Sequence, residues 1–472
     1  MNRKVIAIGY DLSTTALTVA GMPKDGIAGD EVVVSIPMRG ATTWLVQPAH
    51  DLKELPNLFI DALRAIQAQG YEFAPDGVIS GSVRQHDMVL ADANSRPIRP
   101  ALSWQCNAAE KQVEMLRNKG AEEQVGRLEP RLVLPKLLWA MEQDPGLKDS
   151  IATVMTTGDF IAMQLSGTPT LCSSEALSNG LMTQETRQFA FRFLASVPGL
   201  DLSWFPTIAY SGSVIEPRPS AIPLFPDWKR VRELLPGWRV VAGLGDNHAG
   251  ALGGGLSDCN TMVISAGTSG TVVRAVNPKL QTGSRAMKFE YFENTLLLMM
   301  MPDCAAWYKR FKQLFAGTMP YAELDALALA AQNHSDLVFH DAADAPWPDW
   351  FCKLSLGEQD RNIQSSIAYQ LAILFMELFS DEVIIRRGDE VHWINRVVFT
   401  GGLTASRWFC QSLSETMRIR GHYVRVEVSS RTGPLANQAA TLGALINALV
   451  GGGLIKSREE AIKTLCPTRK LT

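Results

Sequence analysis

No stretch of this chain could cross a bilayer; its most apolar run, Leu296 to Met301, falls far short of the ~20 residues a membrane helix needs. Charge of one sign is equally scarce. The 45 basic and 48 acidic residues leave a net charge of -3, which removes the electrostatic case for nucleic acid or an anionic lipid surface. Cysteines are few and scattered: no two of Cys106, Cys172, Cys259, Cys304, Cys352, Cys410 and Cys466 have the spacing of a zinc knuckle or a Cys-x-x-Cys pair. Such an odd, dispersed set suits reduced thiols in a cytosol. Asp11 interrupts the apolar run Val5 to Ile8 too early for a signal peptide, so a cytoplasmic protein is expected.

Several catalytic signatures are missing as well. There is no Gly-Lys pair, which excludes a P-loop, and there is no His-Glu-x-x-His helix and no Gly-x-Ser-x-Gly elbow after a strand. The protein-kinase signature set is absent too. Gly243-x-Gly245 begins like a dinucleotide fingerprint, but His248 stands where its third glycine should be.

What is present reads as a layered α/β chain whose 472 residues suit two or three domains. Val5 to Ile8 and Leu17 to Ala20 are short strands flanking a polar turn with Asp11, Ser13, Thr14 and Thr15. Hydroxyls and amides in such a turn can cradle phosphate, and a carboxylate can hold Mg²⁺ through water. Apolar residues from Leu52 to Ile66 recur at helical spacing, and Gly77 to Gly81 is a buried strand. It runs into the polar Arg84-Gln85-His86-Asp87, and Trp104 follows; a flat aromatic wall beside hydrogen-bonding groups suits a polyol. Proline thickens from Pro198 to Pro236, a loop excursion or interdomain surface. Directly after it Asp246 stands between Gly243, Gly245 and Gly250, placed either to cap the helix that begins at Asn247 or to act as a base. Met262 to Ala275 repeats the strand–turn–strand order of Ile6 to Ala20, with Gly267 and Thr268 at its turn. Thr400-Gly401-Gly402 joins a strand to a helix from Arg407. The domain boundary is placed near residue 248, giving domains 1–248 and 249–472.

In this order the motifs resemble those of the FGGY family of carbohydrate kinases. The likeness runs through Gly9-x-Asp11-x-x-Thr14-Thr15, Ser80-Gly81 with Gln85-His86, Arg99-Pro100-Ala101-Leu102-x-Trp104, Pro135 to Trp139 and Gly158-Asp159-Phe160. It continues with Gly245-Asp246-Asn247, Ala266 to Ser269, Thr400-Gly401-Gly402 and Ala440 to Ala444. The resemblance implies two ribonuclease-H-like domains of the actin/Hsp70/sugar-kinase type facing each other across a cleft. It implies transfer of a phosphoryl group from ATP, with Mg²⁺, to a hydroxyl of a small sugar or polyol. By the same resemblance Asp246 is the catalytic base, and Gln85, His86, Trp104 and Asp246 contact the sugar. Asp11, Thr14, Thr15, Gly267 and Thr268 hold phosphate, Asp11 also serving the metal, while Gly401, Gly402 and Ser406 hold adenosine. Dimers are frequent in the family, and the resemblance admits a homodimer.

The Gln85-His86 pair is most similar to xylulokinases, which implies a pentulose such as xylulose; glycerol kinases carry Arg-Glu there. Ser13 stands where the family usually has glycine, Cys106 where it has an acid, and Asn107 and Ala108 where an arginine is frequent. These departures leave the acceptor open among xylulose, ribulose, glycerol and similar polyols or ketoses. Two other classes stay open: a catalytically silent sugar-binding sensor on the same scaffold, and an actin- or Hsp70-like ATPase acting on a protein.

Overall fold

The structure is a computed structural model and describes residues 3–217, 225–267, 269–278, 285–332, 336–338, 346–380, 394–418 and 424–471. Two compact units emerge: Met1–Gly253 with Phe289–Glu293 and Thr432–Leu465, and Gly254–Lys288 with Asn294–Arg431 and Cys466–Thr472. A single boundary near residue 248 therefore does not describe the division, because the C-terminal helix Ala439–Gly451 packs on the first strand of the first unit.

In the first unit, strands Arg3–Leu12, Ala16–Pro23, Val32–Pro37, Tyr71–Val83 and Arg239–Val240 form one sheet. Arg3–Leu12 sits at its centre, antiparallel to Ala16–Pro23 and parallel to Tyr71–Val83. The short strand Leu244–Gly245 adds to the far end of Tyr71–Val83, so that Asp11, Ser82 and Leu244 lie in one row. Parallel strands reach that row with their carboxyl ends, the edge of an open α/β sheet where ligands collect. A smaller sheet pairs Met88–Ala91 with Ala101–Leu102 and Thr153–Thr156, drawing residues 84–87 and 103–104 together.

The periodic helix read from Leu52 to Gln69 is the 3₁₀ turn Leu52–Glu54 followed by the α-helix Leu55–Ala68. Pro56 opens the latter, where its missing N–H costs nothing. Its apolar stripe buries Phe59 against Tyr10, with ring centroids 5.1 Å apart, and against Trp228 at 5.4 Å. The proline-rich stretch carries Thr207–Ala209, which pairs with Thr170–Cys172, and the helix Lys229–Leu234; residues 218–224 lie outside the described ones.

The second unit repeats the sheet order. Asn294–Met301, Gly270–Val276, Thr261–Ala266, Arg396–Thr400 and Arg425–Ser429 follow one another with the same parallel and antiparallel senses as the five strands of the first sheet. The hairpin echo seen in the sequence is thus a repeated topology. Ser265 pairs with Thr400, so the turns at Gly267 and Gly401 leave neighbouring parallel strands at the position that Asp11 and Ser82 hold in the first unit. All seven cysteines are free thiols. Among the described residues no helix is long and apolar enough to cross a membrane.

Candidate active site

Asp246 is the first residue of the helix Asp246–Gly253, and glycines let that helix lie close against Ala439–Gly451. A side chain on Gly253 would collide with the Ala439 carbonyl, and one on Gly443 with the Ala249 carbonyl. The helix can therefore cross Ala439–Gly451 at backbone contact only because both positions lack a Cβ. Gly245 has the same constraint against Glu175 and Gln85. Asp246 does not cap in the usual sense: its Oδ1 accepts from the amide of the next residue, Asn247, at 2.8 Å and from the Asn247 side chain at 3.3 Å. Burial first, and then the Asp11 charge, push its carboxyl up to about 7. Asp11 is itself raised to about 6 by burial, against the pull of the Ser82 hydroxyl, which donates to its Oδ1 at 2.7 Å, and of Arg84. The two carboxyls thus stand within electrostatic reach of one another, at the ends of strands that both pair with Tyr71–Val83.

Lys136, wholly buried in the helix Val133–Gln143, shapes the neighbouring polar turn. Its ammonium donates to the carbonyls of His86, Leu102 and Ser103, which pins the turn at 84–87 to the segment leading into Trp104. His86 is held at a φ of 69°, a left-handed conformation unusual outside glycine. Its Nδ1 lies 3.0 Å from Oδ1 of Asn179. That oxygen also accepts from the Val133 amide, and the Asn179 amide nitrogen donates to the Glu175 carbonyl. The amide orientation of Asn179 is therefore fixed, so Nδ1 carries the hydrogen and Nε2 is left as an acceptor. Burial drives the imidazole down to about 3, so it is neutral throughout the physiological range.

Gln85 is buried with both amide ends engaged: Oε1 accepts from Asn247 at 2.9 Å, and Nε2 donates to Ser178 at 3.3 Å. It ties the Asp246 helix to the helix Ser173–Ser178. Trp104 is partly exposed, as a sugar wall requires, and its amide donates to Asp87 Oδ1 at 2.9 Å. Cys106 points into the core with no exposure, so the thiol in place of the usual acid faces apolar packing.

Thr14 and Thr15 are exposed at the tip of the first hairpin. The Ser13 hydroxyl accepts from the amides of Thr15 at 3.3 Å and Ala16 at 3.1 Å, so two donors of this turn are already taken. In the second unit, Gly267 accepts from the Ala305 amide through its carbonyl, and Thr268 lies outside the described residues. Gly401 has a φ of 94° and lies against the Ala266 backbone, whereas Gly402 faces open space. Ser406 caps the helix Arg407–Arg418 by accepting from the Phe409 amide at 3.1 Å, and its hydroxyl lies within hydrogen-bond distance of Asp325 and Gln364.

Within the first unit, then, Asp11 and Asp246 feel one another's charge, Gln85 is tied to Asn247, and the turn carrying Gln85 and His86 is joined through Arg84 to the hairpin of Thr14 and Thr15 and through Asp87 to the Trp104 backbone. Gly267, Gly401, Gly402 and Ser406 lie around one strand edge of the second unit. Sequence reading gives Arg84 and Asp87 only a share in the polar turn suited to a polyol, and assigns no role to Ser82, Lys136, Glu175 or Asn179. The available signal was polar residues set among apolar runs. Glu175, with 2% exposure, has a carboxyl raised well above the usual range by burial and by the charges of Asp159 and Asp246.

A chain with this repeated sheet and this strand-edge site has the fold of the actin/Hsp70-like sugar kinases. The crystal structure of xylulose kinase from Rhodospirillum rubrum superposes with a TM-score of 0.78 at 19% identity, covering 98% of this chain and 93% of that one. The profile of the FGGY family of carbohydrate kinases, N-terminal domain, matches residues 8–253, more than half of the 472. The protein belongs to the FGGY family and is by that membership an ATP-dependent carbohydrate kinase. Xylulose kinase of Lactococcus lactis is 27% identical over 309 residues, which span 61% of this chain and 56% of that protein. Xylulose kinase of Bacillus subtilis is 23% identical over 476 residues, covering 96% of this chain and 89% of the relative.

Proposed function

We propose that the protein phosphorylates a hydroxyl of a small ketose or polyol, a pentulose such as xylulose in the first place, with Asp246 as the general base. The observation that carries this reading is the placement of Asp246: fixed at a helix start, within reach of the Asp11 charge, and poised near neutrality. A sugar hydroxyl needs orientation and a late proton acceptor, and a base titrating near the working pH suits that task. Neutral His86 offers Nε2 to a sugar hydroxyl, Trp104 supplies an apolar face, and Gln85 holds the Asn247 side chain beside Asp246. The xylulose kinases among the relatives support the pentulose, while buried Cys106 leaves room for other acceptors. The free thiols support a cytosolic setting.

The donor set suits a magnesium ion delivered with ATP. Ser82 occupies one oxygen of Asp11, the other is available, and Asp11 and Asp246 raise one another's electrostatic cost, which a cation relieves. Among the described residues no group of three or more His, Cys, Asp or Glu could by itself hold a metal ion, and Mg²⁺ commonly keeps several waters and binds substrate phosphates with one or two carboxylates. When bound, the ion neutralises phosphate charge. Thr14 and Thr15 in the first unit, and Gly267, Thr268, Gly401, Gly402 and Ser406 in the second, would hold the nucleotide. ADP release measured over pentuloses, hexuloses, glycerol and other polyols tests the reading: at least one acceptor should accelerate it strongly. A rate indifferent to every acceptor would point to a protein-directed ATPase or a silent sensor.

A further inference from the structure

We propose that Arg84 is a further catalytic residue of the transfer, its Nη2 donating to the phosphoryl group as it moves; this rests on the function proposed above. Arg84 is 4% exposed, and its three nitrogens have different fates. Nε donates to Asp87 Oδ2 at 2.9 Å, and Nη1 donates to the Ser13 carbonyl, also at 2.9 Å. Nη2 is buried without a partner. An arginine beside an aspartate ordinarily completes a two-pronged pairing. Here the second oxygen of Asp87 accepts from the Trp104 amide instead, and the fork stays open. A buried guanidinium with an unmatched donor is costly unless something arrives to take it.

The surroundings indicate what arrives. The guanidinium is anchored to the tip of the hairpin that carries Thr14 and Thr15, and its charge is felt by both Asp11 and Asp246. His50 and Glu54 also lie within its electrostatic reach, the imidazole of the first pushed down by burial and then by the Arg84 charge. The guanidinium is therefore tied to the turn proposed for phosphate and lies within electrostatic reach of the base proposed for the acceptor. In the transfer, the bond from the terminal phosphorus to the ADP oxygen breaks and a bond to the sugar oxygen forms. The hydroxyl proton passes to Asp246, and Arg84 gives only hydrogen bonds, exchanging no proton. Negative charge spreads over the phosphoryl oxygens during that passage, and a fixed, dry donor stabilises it most there.

The test uses the full chain with its best acceptor. Arg84→Met should lower kcat by ~100-fold or more, the range for losing one preorganised donor, while the KM for the sugar moves by less than ~3-fold. Arg84→Lys keeps the charge but not the fork and should fall between Arg84→Met and wild type. Guanidinium added to Arg84→Ala should restore turnover in a saturable manner. A structural clamp alone would instead change thermal stability and sugar KM and leave kcat near wild type; that result overturns the proposal. Should Arg84→Met fail to fold, Arg84→Lys decides: unchanged kcat in that folded variant overturns it, and a selective kcat loss supports it. A wild type without acceptor-dependent ADP release sinks this proposal together with the kinase reading, whereas an active wild type with an indifferent Arg84→Met sinks this one alone.

Discussion

Asp246 binds its proton more tightly in the folded chain than an exposed aspartate would, and this has consequences for both activity and stability. Its folded value near 7 lies above the ~3.9 of an unfolded aspartate. The folded state therefore holds more protons between those limits, and stability falls as pH rises through that window and levels off above it. Asp246→Asn removes the ionised group. Its thermal midpoint should exceed wild type clearly at pH 8 and hardly at pH 4; an equal shift at both would mean the carboxyl is not strained by its surroundings. For activity the sign is opposite, since the base must be ionised. The kcat/KM of the wild type should fall as pH drops through about 7. His86 contributes nothing to that limb, because it is neutral down to about 3.

At the scale of elements, the crossing of Asp246–Gly253 on Ala439–Gly451 and the first hairpin tip make contrasting demands on small residues. Gly443→Ala forces a methyl into the Ala249 backbone and should cost ~1–3 kcal/mol or more, read as a thermal midpoint several degrees lower. Gly402→Ala meets open space without a left-handed φ, and its midpoint should stay within ~2 °C of wild type, as surface substitutions do. Equal losses in the two would contradict the tight-crossing account. The hairpin makes the opposite point. Ser13 occupies the Thr15 and Ala16 amides with its own hydroxyl, so Ser13→Gly should free both and lower the KM for ATP severalfold. An unchanged or raised KM would show that those amides do not serve the nucleotide.

At the scale of the whole molecule, the strands and their repeated order were legible because alternation and β-branched runs are local signals. Val5 to Ile8 and Met262 to Ser265 each announce the central strand of a sheet. Asp246 was legible through its glycines, which the helix crossing and the Glu175–Gln85 contact require. The scaffold of the sugar turn was not. Lys136 acts on a carbonyl 50 positions away and Asn179 on an imidazole 93 positions away, distances over which no periodicity carries information. The resemblance supplied Gln85 as a ligand contact, yet its amide is engaged at both ends within the protein, a use that only the fold discloses. The return of Ala439–Gly451 to the first sheet was hidden for the same reason. Phosphoryl transfer with Asp246 as base is the central claim, and it is tested most directly by acceptor-dependent ADP release from wild type and Asp246→Asn, side by side. The account predicts strong stimulation by a pentulose or similar acceptor in the wild type and a loss of ~100-fold or more in the folded variant. Near-normal, acceptor-stimulated turnover in Asp246→Asn would contradict it.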